Sequence, residues 1–153
     1  MGDMKKRRES LNILGPFQIF LPSGERDPET NELVMEETEY EDSEKLGHAR
    51  LVPKRETIPF LEKVMFKQGR LTGKVEKELQ RIREKSESEG LTFHSSIESM
   101  LRVLHSWDLT DGGKPVKLTL DAIVEAEVDS DIVYAILGKY NEVVNPPKRL
   151  SAK

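Results

Sequence analysis

The sequence predicts an α+β chain: short N-terminal antiparallel strands followed by a small helical core of about four to five helices. Three observations carry this. Between residues 13 and 56, short apolar–polar alternations are broken by Pro and Gly, the pattern of brief strands. From Thr57 onward the apolar residues recur every three or four positions, the period of a helix. The chain has 153 residues, 36% of them hydrophobic and 34% charged, which suits one modest core with solvated or partner-dependent segments around it.

In chain order, residues 1–12 hold the run Lys5–Lys6–Arg7–Arg8 and almost nothing to bury, so they read as a basic flexible arm. Residues 13–56 form a strand-rich acidic segment. There, Phe17, Ile19 and Leu21 alternate between Pro16 and the turn residues Pro22–Ser23–Gly24, and Pro22 favours an edge position. The segment "ELVMEETEY" supplies a second strand, expected to pair with the first across a long loop. "HARLVPK" supplies a third, ending at Pro53.

Residues 57–145 are the expected helical domain. Thr57 can cap a first helix with Phe60, Leu61, Val64 and Met65 on one face. A second helix starts at Thr72 and stops at Gly90, with a thin apolar stripe of Val75, Leu79 and Ile82. A third, capped by Ser95 or Ser96, carries Ile97, Met100, Leu101 and Leu104, with Trp107 closing the stripe. Thr119 begins a short fourth helix. Asp129 caps a last one bearing Ile132, Val133, Ile136, Leu137 and Tyr140. Residues 146–153 form a basic Pro-rich tail.

The net charge of −4 hides an asymmetry. From Glu25 to Glu44 there are ten carboxylates against Arg26 alone, and from Lys45 to Lys85 twelve Lys and Arg against five Glu. Opposed blocks of this kind attract within a chain, between copies or toward partners, although two solvated surfaces explain them as well. An apolar fraction this low also points to a homo-oligomer as one way to complete the core.

Catalytic and ligand-binding classes find little support. With no Cys there is no thiolate nucleophile and no Cys-based zinc site. On one helix, His94 and His105 would stand about 16 Å apart, too far to share a metal. "DPETNELVMEET" has Glu32 where a calcium loop needs glycine and Thr38 where it needs a bidentate glutamate. No glycine-rich phosphate loop or nucleophile elbow occurs. Nucleic-acid binding is unfavourable because Glu76, Glu78 and Glu84 interrupt the basic helix and the following turn is too long for a helix-turn-helix. We expect a non-enzyme without cofactor or metal. No apolar run reaches the roughly 20 residues that span a bilayer, and the N-terminus lacks a secretory signal, so a cytoplasmic location is expected.

The best organised stretch is "HSWDLTDGGKPVKLTLDAI". Trp107 sits where a helix ends, its ring able to pack under a turn while its N–H reaches a carbonyl. Asp111, Gly112 and Gly113 suit positive φ, Pro115 fixes an extended exit, and Leu118 precedes the Thr119 cap in position to staple onto the next helix. Packing alone explains each of these residues.

Together with "DSDIVYAILGKYNEVVNPP", this stretch resembles the C-terminal half of the small tail proteins of long-tailed bacteriophages known as tail assembly chaperones. The residues that match are Trp107, Asp108, Leu109, Asp111, Gly112, Pro115, Leu118, Thr119, Ile132, Ile136 and Pro146, over about a third of the chain. The resemblance implies a non-catalytic protein of the host cytoplasm. Its partners would be the tape-measure protein and the tail-tube subunits, whose apolar segments it holds until they assemble. Phe60, Leu61, Val64, Val75, Leu79 and Ile82 are then the candidate partner contacts, with packing inside the chain as the alternative. Two other readings stand beside it. One is a structural component of the tail or head–tail connector, and the other a small nucleic-acid-binding regulator.

Overall fold

The computed structural model describes residues 2–10, 13–41, 49–67 and 72–144. Its elements run α1 (Met4–Ser10), β1 (Leu14–Ile19), β2 (Met35–Glu41), β3 (Ala49–Pro53), β4 (Leu61–Phe66), α2 (Gly73–Glu89), α3 (Thr92–Val103), β5 (Leu104–Ser106), β6 (Thr110–Asp111), β7 (Lys114–Pro115), α4 (Leu120–Glu125) and α5 (Ser130–Val144). Antiparallel strands and helices build an α+β fold, as the sequence predicts. The expected tail at 146–153 lies outside the described residues, as do Met1, Leu11 and Asn12 of the expected arm. Within that arm, residues 4–10 are helical.

The core sheet has the order β1–β4–β5, all antiparallel. This corrects the helix expected from Thr57: Leu61–Phe66 is a central strand. Its inward residues are Leu61, Val64 and Phe66, spaced three and then two apart. The spacing of three looked like a helix turn. It comes instead from an extra residue in β4, since Ile19 and Phe17, two apart, face Leu61 and Val64, three apart. A bulge shifts the phase of a strand by one residue and so breaks the period-2 signal. The sheet also joins β1 to β4 across the boundary expected at residue 57.

β1 comes so close to β4 that a Cβ at Gly15, where φ is +131°, would stand 2.7 Å from the Val64 carbonyl oxygen. Only glycine fits there.

One face of the sheet is buried under the helices. Phe66 is fully buried and meets the Tyr140 ring of α5 edge-on at 5.3 Å and the Phe17 ring at 5.7 Å. Around it pack Ile97, Met100 and Val103 of α3, Ile123 of α4, and Val133 and Ile136 of α5.

The helix limits follow the caps. Thr72 Oγ1 accepts from the Val75 N–H at 3.3 Å and Thr119 Oγ1 from the Ala122 N–H at 3.2 Å. Gly90, left-handed at φ +72°, closes α2 and leads directly into α3. Asp129 Oδ1 accepts from the Asp131 N–H at 2.9 Å and opens α5. The third helix differs from expectation at both ends: it starts at Thr92 rather than Ser95, and stops at Val103. Leu104 and His105 lie in β5, and Trp107 follows it, so the apolar residue at 104 continues the core on a strand.

β2 and β3 form a separate antiparallel hairpin, with Met35 opposite Pro53 and Glu37 opposite Leu51. The expected pairing of this segment with the first strand does not occur. Pro22 stands at an isolated bridge to Arg55.

Candidate functional site

Two places in the fold gather the residues that the sequence singled out. The first is the tryptophan turn. The Trp107 indole N–H donates to the Val116 carbonyl at 2.8 Å, and the half-buried ring packs against the core as the sequence predicted. Leu109 and Val116 are buried beside it. Gly112 and Gly113, at φ +59° and +85°, make the two-residue turn of the β6–β7 hairpin, where positive φ at both positions matches the strand twist.

Asp108 has a sharper role. Beyond the end of β5, its carboxylate accepts the N–H groups of Glu62 and Lys63, at 3.0 and 3.1 Å. Those two residues lie between the inward-facing Leu61 and Val64, at the bulge of β4, so the side chain takes the position that a further strand residue would hold. Asp108→Ala should therefore cost about 1–2 kcal/mol, as for the loss of a carboxylate that caps free backbone donors. Urea unfolding measures it, and amide exchange at Glu62 and Lys63 should quicken in the same variant. The turn is a structural junction in which Trp107, Asp108, Asp111, Gly112 and Pro115 are all used by the fold.

The second place is a groove of about 800 Å³ between α2, α3 and α5. The α3 wall carries Thr92, Ser95, Ser96 and Ser99, a stripe at i, i+3, i+4 and i+7. These side chains are short, so α3 leaves space where a helix of leucines would fill it. The α2 wall carries Glu76, Gln80, Arg83, Glu84 and Glu87, acidic on balance, with Gln80 donating to Glu84 at 3.1 Å. Leu79, Val103, Leu137 and Tyr140 give the groove its apolar surface.

Tyr140 is only 4% exposed, and its hydroxyl has no hydrogen-bond partner among the described residues. Burial pushes the phenol above its ordinary value, while the Arg102 charge pulls the other way. A buried hydroxyl without a partner is costly, and this one is closed off from solvent in the wall of the groove.

An ion pair between Arg102 and Glu78 ties α3 to α2. The guanidinium holds the Glu78 carboxyl below its ordinary value of 4.5. A depressed carboxylate contributes stability above the unfolded value and loses it as pH falls through the folded value. Acid should therefore loosen the α2–α3 pair first below about pH 4.5. Glu78→Gln should flatten that part of the stability-against-pH curve, read by thermal melts across pH 3–6. An unchanged curve would mean that the pair is not formed in solution.

The six expected contact residues do not form one surface. Leu61, Val64 and Val75 are buried in the chain's own core, the alternative the sequence left open. Their burial removes them from the surface of the folded chain. Leu79 lines the groove. Ile82 is half-buried on α2, and Phe60, 47% exposed, sits before β4 near the exposed Ile58. The hydroxyl stripe of α3 was missed because a search for apolar periodicity passes over serines. The same i, i+3, i+4, i+7 spacing read for small residues would have found it.

Among the described residues, no group of three or more His, Asp or Glu is placed to hold a metal ion, and no helix is long and apolar enough to cross a membrane. Comparison of the chain with protein-family models, with curated proteins and with solved structures finds no match.

Proposed function

We propose that the chain is a non-catalytic assembly protein for the tail of a long-tailed bacteriophage. In this reading it acts in the host cytoplasm as a chaperone that holds a segment of the tape-measure protein or of a tail-tube subunit in the α2–α3–α5 groove. The observation that carries the reading is the groove itself: an open trough with apolar residues, a stripe of short hydroxyl side chains and a buried, unsatisfied phenol.

Such a trough suits an amphipathic helix laid along it, apolar face inward. The acidic balance of Glu76, Glu84 and Glu87 against Arg83 favours a segment with basic flanks. The sequence resemblance at residues 105–147 supports the same reading, and α5, which carries part of it, supplies one wall of the groove.

A second reading has its own observation. The β2–β3 hairpin stands apart from the core with exposed apolar residues, as an interlocking arm of a structural tail subunit would. Mass spectrometry of purified virions separates the two. A chaperone should be absent or present only in traces, and many copies per particle would replace the first reading with the second.

A further inference from the structure

One wall of the groove leads straight into a basic segment of the chain. α5 gives Leu137, Tyr140 and Asn141 to the groove and stays packed on the core through Val143 and Val144. Its end is therefore a fixed point at the rim, about one turn beyond Asn141. Residues 145–153, outside the described residues, have the sequence NPPKRLSAK, with three bases, no acid and Leu150 among them. Pro146 and Pro147 have no N–H to give a helix and favour an extended backbone.

The helices set the direction in which such a segment meets the groove. Phe93, near the start of α3, meets Tyr134 edge-on at 6.0 Å, and the charge of Arg102, near its end, acts on Tyr140. α3 and α5 therefore run the same way. α2 runs the opposite way, with Glu78 paired to Arg102 and its own end turning through Gly90 into α3. The end of α5 thus lies at the same end of the groove as the start of α2. From there Glu76, Glu84 and Glu87 follow in order, the last two about 12 and 17 Å beyond the first.

All three acids are exposed, and Arg83 is the single base that lines the groove. Among the described residues neither Glu76 nor Glu87 is in an ion pair. The lengths agree as well. An extended chain needs at most about 14 Å from Val144 to Lys148, and covers about 16 Å from Lys148 to Lys153. Lys148 and Arg149 then reach Glu76, Leu150 reaches the half-buried Leu79 and Leu137, and Lys153 reaches Glu84 and Glu87.

We infer that residues 148–153 lie back along the chain's own α2–α3–α5 groove and must leave it before a partner enters. The inference rests on the reading of the groove as a binding site and adds its regulation. A tether this short gives an effective concentration in the millimolar range, so a weak contact is enough to hold the segment in place.

The chain has no Cys, so Ala152→Cys takes a single nitroxide label on the full chain. In about 0.1 M salt the label should broaden the amide resonances of Ser95, Ser96 and Ser99, and the effect should fade in about 1 M salt, as the screening length drops from roughly 10 Å to 3 Å. Added to the labelled chain, K148E/R149E or E84K/E87K should each lower the ratio of docked to free segment about tenfold. Groove amides that stay sharp overturn the inference, as does broadening that neither pair of substitutions reduces. Broadening that disappears on dilution also overturns it, since the segment of another copy would then be the occupant.

Co-expression with the tape-measure protein separates this inference from the reading on which it rests. K148E/R149E should capture more of that protein than the parent chain does. Broadening with no capture by either chain would refute the partner and support the docked segment. Equal capture by both chains would refute the regulation and keep the partner.

Discussion

Phe66→Ala should destabilise the chain by about 4 kcal/mol, the largest effect expected of any single truncation. The ring is fully buried and lies between Phe17 of β1 and Tyr140 of α5, so it joins the sheet to the helical layer. Removing it takes away the transfer energy of a whole aromatic side chain. It also leaves a cavity that β4, held on both sides by β1 and β5, cannot collapse to fill. A domain of this size commonly has only about 5–15 kcal/mol of total stability, so the variant should be partly unfolded well below the melting point of the parent. Phe66→Leu keeps most of the volume and should cost about 1–1.5 kcal/mol. Urea unfolding followed by circular dichroism measures both. A loss under about 1 kcal/mol for the alanine variant would mean that residues 61–66 do not form the central strand.

Trp107→Ala should cost about 3 kcal/mol, the low end for tryptophan because the ring is half-buried. The indole lies at the junction of β5, the β6–β7 hairpin and the chain leading to α4, and its N–H satisfies the Val116 carbonyl. Trp107→Phe keeps most of the ring but loses that donor, and should cost about 1 kcal/mol. The difference between the two variants separates packing from hydrogen bonding. Equal losses would assign the whole effect to the bond, and no loss in either would make the ring a surface contact.

Where the polar signals were local, the sequence was easy to read. Thr72, Gly90, Thr119 and Asp129 each mark a helix end by a bond that the side chain or a left-handed backbone makes within a few residues. The double glycine at 112–113 marked its turn for the same reason, and Trp107 found the carbonyl expected of it.

The errors lie where tertiary context decides. Residues 61–66 mimic a helix because a bulge puts Leu61 and Val64 three apart on one face, and the bulge is capped by Asp108, more than forty residues away. Leu104 continues the apolar stripe of α3 although the backbone has already turned into β5 to pair with Phe66. Strand pairing was not legible either. β1 passes over the nearer β2 and β3 to pair with β4, a choice set by burial of Ile19, Val64 and Phe66 together. Of the candidate site, Leu79, Leu137 and Tyr140 were found through their apolar stripes. The serines were read only as helix caps, since small hydroxyl residues on a helix face become a groove only once a neighbouring helix stands opposite.

In the proposed chaperone role, the α2–α3–α5 groove holds a segment of a tail protein during assembly. Co-expression with the tape-measure protein, comparing the parent chain with Ser96→Trp, tests it most directly. Ser96 lines the groove, so an indole there should fill the trough while leaving the core residues of α3 in place. The parent chain should keep the tape-measure protein soluble and co-purify with it. Ser96→Trp, folded to the same melting temperature within a few degrees, should lose both effects. Equal solubilisation by the two chains, or none by the parent, would contradict it.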